Sequence, residues 1–361
     1  MKIRRADTWI NILKFLLFLA IGCGILYWVY NSQNQAFQAQ CKIDGVAPED
    51  CSLLKKLVAD FRSANVWWLL VVVLCFQASN VFRAFRWQMI FKPMGHEIRF
   101  GNAFWTIMIG YFANLGLSRA GEVVRGVSLA RYEKIKVDKV IGTIALDRIL
   151  DLISMALVIA LAMAMEYDAI YNYLASNMRD FNVSAFLRGT IFQSFLVGIL
   201  LLFVLLIIFQ RQIRQSMLYF KIKAFILGFY EGIRVIKRIE KPFLFFIYSV
   251  LIWVCYYLMT YFALFSFAPT ASLGPNAALL VFVFGSFGIL IPSPGGMGTY
   301  HALVVASLAI YHIRGDDAFS LANIIFFDIQ IFTTILFGIL ALIILPLTNK
   351  KAIPLEEVEI M

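Results

Sequence analysis

The chain has 361 residues, of which 61% are hydrophobic and only 15% charged, and Phe occurs 34 times. Soluble domains run near half apolar and a quarter charged, so this composition excludes a soluble globular enzyme, a disordered chain and a disulfide-rich secreted module; it points to a polytopic helical membrane protein. The net charge is +10, from 32 Lys and Arg against 22 Asp and Glu; in a membrane protein that excess fits cytoplasmic loops that collect Lys and Arg, and no nucleic-acid partner is expected.

Apolar runs of spanning length lie at 10–30, 65–91, 140–165, 189–210, 243–267 and 322–347. Lys2, Arg4 and Arg5 precede the first run and place the N-terminus in the cytoplasm. No small-residue cleavage site follows that run, so it reads as a span rather than a signal peptide. The loop 31–64 is then external, with balanced charge. Cys41 and Cys51 share it; on an oxidising side they can close a small loop, and two free thiols are the alternative. The second span returns to Arg83, Arg86, Lys92 and Arg99. Arg83 and Arg86, beside Trp87, read as an interface anchor or as a contact to lipid phosphate.

The run 100–117 has basic residues on both flanks: Arg99 and Lys92 before it, and Arg119, Arg125 and Arg131 after it. A segment with both ends on one side dips in and returns, so 100–124 is expected to be a re-entrant hairpin turning near Leu115 to Gly121. Such backbone survives at membrane depth only where it is buried in protein or lines a wet cavity. Segment 211–241 is rich in Lys and Arg at amphipathic spacing and fits a helix on the cytoplasmic surface. The run 276–312 is broken by Pro292, Pro294, Gly295, Gly296 and Gly298, a density that no straight helix tolerates. Lys350 and Lys351 hold the C-terminus inside, which leaves both ends of that run outside and makes it a second hairpin from the opposite face. The expected architecture is an all-α polytopic membrane protein, a single integral domain over 1–361. It has about six transmembrane helices and two re-entrant broken-helix hairpins from opposite faces, an inverted-repeat-like layout whose binding site lies where the hairpins meet. It is expected in the cytoplasmic (inner) membrane, multi-pass, with both termini cytoplasmic.

Three groups of residues could carry function. In the first, Asn114, Ser118, Arg119, Glu122 and Arg125 surround the hairpin turn; Ser118 can cap the following helix, and the guanidinium groups suit a phosphate-bearing head group. Glu122 lies three residues before Arg125 and is expected to pair with it; an ordinary positive-inside loop is the plainer alternative. In the second, Asp147, Arg148 and Asp151 sit inside a span, with Asp147 about 12 Å along the helix from Lys139 at about 1.5 Å per residue. The triplet either neutralises itself and locks helices together, or lines a transport path or binds a proton. Asp328 is a further intramembrane carboxylate, unpaired in the sequence, and a candidate for proton coupling. The third group is the hairpin break from Pro292 to Gly298, with His301 after it and a new helix starting near Thr299. Three scattered His residues, His96, His301 and His312, make no metal set, and no metal or cofactor is expected.

At these motifs the chain resembles the lysylphosphatidylglycerol synthase transmembrane family, also called flippase-like: Asn114-Leu-x-x-Ser118-Arg119-x-Gly121-Glu122-x-x-Arg125, Asp147-Arg148-x-x-Asp151, and Pro292-x-Pro294-Gly295-Gly296-x-Gly298, in that order. The resemblance covers roughly 65 to 345 and implies a lipid-translocating membrane domain. In two-domain members a cytosolic aminoacyl-transfer domain makes the lipid that the membrane part moves. Only a short tail follows the last span here, so lysyl transfer is not expected. Many members carry Glu where His301 stands and Pro where Ser118 stands, which leaves the substrate open. The leading reading is a non-enzymatic transporter of anionic or polyprenyl-phosphate-like membrane lipids. An integral membrane lipid or glycolipid transferase using Asp147 and Asp151, and a non-transporting partner of a separate cell-envelope synthase, are the alternatives.

Overall fold

A computed structural model describes residues 5–43, 51–116, 120–177, 238–291 and 296–349. The expected span 189–210 and most of the amphipathic segment 211–241 lie outside the described residues, as do Ser118, Arg119, Pro292, Pro294 and Gly295. The described chain is all-α, and the protein is a polytopic membrane protein. Four of its helices are long and apolar enough to cross a membrane: Val66–Met94, Val137–Met165, Pro242–Phe265 and Gly315–Thr348.

Helix α1 (Arg5–Ile43) runs on well past the first apolar stretch, so much of the expected external loop is helical. It is tied to α2 (Leu53–Ser63) by a disulfide between Cys41 and Cys51. Ser52 caps α2, accepting a hydrogen bond from the Lys55 amide. Lys56 then donates to Asp60 at 2.7 Å and to Asp317 at 2.6 Å, pinning α2 to the start of a later helix. Burial works against the Lys56 ammonium, but the hydrogen bonds and charges of Asp317 and Asp60 outweigh it and hold its pKa above the ordinary lysine value.

α3 (Val66–Phe91) starts where Asn65 accepts from the Trp67 amide, and it ends at Lys92-Pro93, where a short 3₁₀ turn takes over. It runs antiparallel to α8 (Pro242–Phe265), which opens on Pro242, a residue suited to the first helical turn. Aromatic pairs zip the two together: Trp68 stacks on Phe262 at 5.5 Å near one end, and Phe85 on Tyr248 at 5.6 Å near the other. α6 (Val137–Met165) completes a long-helix frame, and the short α7 (Tyr167–Asn177) follows it.

Each broken segment folds as a pair of packed antiparallel helices. The first pair is α4 (Phe100–Gly116) and α5 (Ala120–Glu133). They close face to face at Gly121, where a Cβ would fall 2.0 Å from the Gly110 carbonyl oxygen; only glycine fits there. The second pair is α9 (Pro275–Leu290) and α10 (Thr299–Ala309). Gly296 and Gly298 turn the chain with φ of 82° and 81°, and the Thr299 hydroxyl donates to the Gly288 carbonyl at 2.6 Å across the pair.

The last long helix, α11 (Gly315–Thr348), carries both pairs. Its first part packs on α10, its last part on α4, and between them lies one π-helical segment, Phe327–Thr333. Of the apolar cores among the described residues, the two larger ones span most of the helices. One joins α3, α4, α5, α6, the start of α8 and the end of α11; the other joins α3, α8, α9, α10 and the start of α11; Tyr111 packs against both. An impermeant maleimide should label Cys41 and Cys51 of intact cells only after reduction. The Cys41→Ser/Cys51→Ser double variant should lose about 3 kcal/mol by loop closure, read as a lower thermal midpoint; labelling without reductant would show the bond is absent in the cell.

Candidate functional site

Asp147 and Asp151 lie one turn apart on α6 and face α3. Arg83 and Arg86 of α3 are buried against them, and each arginine bridges both carboxylates. Arg83 Nη1 donates to Asp147 and Asp151 at 2.8 Å each, and Arg86 Nη2 to Asp147 at 2.5 Å and Asp151 at 2.7 Å. Asp147 and Arg86 are 0% exposed and Arg83 is 2% exposed. Tyr256 and Ser249 of α8 supply hydroxyls to Arg83 and Arg86 at 3.2 and 3.5 Å. A lone charge at this depth is expensive, whereas this two-by-two lattice, in which one nitrogen of each arginine bridges both carboxylates, neutralises the four groups and leaves only the Arg83 and Arg86 Nε donors unpartnered among the described residues.

The first hairpin docks on this lattice. Asn114 accepts from the Gly121 amide at 2.8 Å and sets the close approach of α4 and α5. One turn on, Arg125 reaches Asp147 at 3.4 Å, and its guanidinium lies 3.7 Å over the Trp87 ring. Trp87 in turn donates to Thr143 of α6 at 2.9 Å. Glu122 pairs with Arg148 at 2.7 Å, and Arg148 also approaches Asp151 at 3.8 Å.

These partners correct two sequence expectations. Arg83 and Arg86 are buried ion-pair partners and not an interface anchor, because Asp147 and Asp151 need counter-charges at depth. The expected Glu122–Arg125 pair is replaced by Glu122–Arg148 and Arg125–Asp147, since a fully buried carboxylate outcompetes an exposed neighbour on the same helix. Nothing local in the sequence links residue 83 to residue 147; the available signal was two arginines three apart inside an otherwise apolar span.

Beside the lattice lies a cavity of about 350 Å³. Arg83, Arg148 and Asp151 form its charged wall, Tyr111 comes from the first hairpin, Tyr300 from the second, and Gln330 from the π segment of α11. Parts of both hairpins therefore border one space. Of the remaining residues singled out in the sequence, His301 is 1% exposed, ringed by Tyr300, Phe319 and Phe326, and does not line this cavity. Asp328 is buried in the π segment without a hydrogen-bond or ion-pair partner among the described residues.

The fold and this site define a helical membrane protein with a cross-braced charge lattice and a cavity between two broken hairpins. Residues 52–346 match the family model described as the lysylphosphatidylglycerol synthase TM region, and the chain belongs to that family. No curated protein and no solved structure matches it.

Removing one member of the lattice leaves an uncompensated buried charge. Arg86→Met or Asp147→Leu alone should therefore lower stability by about 3–5 kcal/mol, measured by thermal or denaturant unfolding in detergent. The double variant should lose clearly less than the sum of the two. Simple additivity would mean that the two side chains do not act as a pair.

Proposed function

We propose that the chain is a flippase-like transporter that moves an anionic or phosphate-bearing lipid, glycolipids and polyprenyl phosphates included, across the cytoplasmic membrane. One observation carries this reading. Four guanidinium groups, of Arg83, Arg86, Arg125 and Arg148, meet three carboxylates, of Glu122, Asp147 and Asp151, so the cluster keeps one positive charge beside a cavity between the hairpins. Arg125 Nε and Nη2 are buried donors without a partner. A buried excess charge is stabilised by a counter-ion, and phosphate oxygens match the guanidinium fork. The matched family supports a lipid-related membrane role.

The two hairpins on either side of the cavity suit alternating access, in which one rocks against the other about a fixed site. No nucleotide-binding motif occurs in the sequence, so the drive is a gradient or the membrane potential. A singly charged head group gains or loses about 2.3 kcal/mol per 100 mV. The transferase alternative needs Asp147 and Asp151 as free acid–base groups, yet both are engaged by Arg83 and Arg86.

Arg148 tests the reading with least risk to the fold, because its side chain is 40% exposed and it is not part of the two-by-two lattice. Mass spectrometry of lipids retained by purified protein should show one phosphate-bearing class enriched in the wild type. Arg148→Gln and Arg125→Gln should lose that enrichment, and flipping of a fluorescent lipid of the same class in proteoliposomes should fall roughly tenfold, the worth of one charge-assisted hydrogen bond. Bulk membrane lipid in all samples would sink the transporter reading and favour the partner role.

A further inference from the structure

The π segment Phe327–Thr333 interrupts α11 between the stretch that packs on α10 and the stretch that packs on α4. Such a wide turn inside a long α-helix is rare and clusters at functional sites. Here it distorts the backbone pairing locally: the Phe327 amide is shared between the Asn323 and Ile324 carbonyls, and the Thr334 hydroxyl donates to the Ile329 carbonyl at 2.9 Å.

Unpartnered buried oxygen gathers on this segment and on the helix packed against it. Asp328 is 8% exposed, and its Oδ2 is buried without a hydrogen bond; Thr333 is 0% exposed, and its hydroxyl is also without one. Five residues apart, they fall near one face of a π turn. α3 packs on the same segment and carries Asn80, whose Oδ1 is buried and unpartnered, and Gln77, whose Oε1 and Nε2 are both buried and unpartnered. No Lys, Arg or His pairs with Asp328 among the described residues, in contrast to the carboxylates of the arginine lattice. An ionised Asp328 demands a positive centre, which a proton on the carboxyl or a cation held by hard oxygen ligands can supply; the further unpartnered oxygens of Thr333, Gln77 and Asn80 favour the cation. With a single carboxylate present, a monovalent ion balances the charge, whereas a calcium-like ion takes more acidic ligands.

We infer that the π segment of α11 and the adjoining face of α3 enclose a binding site for a monovalent metal cation of the sodium class, with Asp328 and Thr333 as its principal ligands and the amide oxygens of Gln77 and Asn80 beside them. Irregular backbone at membrane depth is where ion-coupled transporters hold such ions. The position also gives the ion leverage. Ile329 and Gln330, next to Asp328, line the lipid cavity, and the two hairpins dock on either side of the segment. Ion binding there sets the relation between the two parts of α11, and with it the relation between the hairpins. The coupling role rests on the transport reading; the ion site itself does not.

The test reads ion binding alone. Full-length protein in detergent is melted at constant pH and ionic strength in NaCl, KCl or choline chloride. A ligand that binds only the folded state raises the midpoint with its concentration, so the midpoint should rise saturably with sodium or potassium and not with choline. Asp328→Asn should abolish the rise. Thr333→Val, which keeps the shape, should weaken the apparent affinity roughly tenfold. Arg148→Gln should keep the full response, which separates failure of the ion site from failure of the lipid site. Equal midpoints in all three salts, or an undiminished response in Thr333→Val, would overturn the proposal even where Asp328→Asn does not fold.

Discussion

The structure depends on the pairing of Asp147 and Asp151 with Arg83 and Arg86. Two carboxylates within a membrane-spanning helix are tolerated only when neutralised at close range. Each aspartate takes a bond from each arginine, so sliding α3 against α6 by even one turn breaks all four contacts at once. Register, rotation and spacing of the two helices are set together. α8 joins the same frame through Tyr256 and Ser249, and through the aromatic pairs that run along α3. The first hairpin docks on this braced trio, whereas α1 and α2 attach to the start of α11.

The hairpins attach to the frame in a different way. The first reaches it through Arg125, at 3.4 Å from Asp147, and through the Glu122–Arg148 pair, in which both side chains are about two-fifths exposed. Exposed pairs of that kind contribute between zero and about 1 kcal/mol, against about 3–5 for breaking a buried pair. The Arg125–Asp147 contact is buried and the hairpin shares an apolar core with α3 and α6, so the exposed Glu122–Arg148 pair is the weak element of this attachment. The two hairpins are joined to each other through α11, whose two ends each carry one of them. Tyr111 sits at the seam of the two apolar cores and lines the cavity, so motion of the first hairpin is felt there directly.

Much of this was legible in the sequence, for identifiable reasons. The breaks after Gly116 and Leu290 announce themselves through glycine and proline, whose backbone effects are local. The carboxylates at 147 and 151 stand out because charge inside an apolar run is rare, and the cysteine pair because both lie in one loop. What was not legible is which charge answers which. The partners of Asp147 come from positions 83, 86 and 125, and only packing brings these together; the helix-neighbour rule instead offered Glu122 to Arg125. The π segment likewise has no local signature beyond one acidic residue, Asp328, in an apolar helix, and its wider turn follows from tertiary contacts on both sides.

The proposed alternating access would need arms that move against a stiff frame, and this raises an energetic difficulty. If the arms were held only by weak pairs, nothing would keep them from opening to both sides at once. Carrying both arms on one helix removes that freedom, because α11 cannot release one hairpin without reorienting against the other. A regular helix of 34 residues, about 50 Å long at 1.5 Å per residue, would make the link rigid and leave a single state. The wide turn at its middle, where the cavity and both docking stretches meet, is where a joint with a limited choice of positions would lie. On the proposed transport reading, the charge lattice would hold the head group at a fixed point while the joint decides which face it can reach.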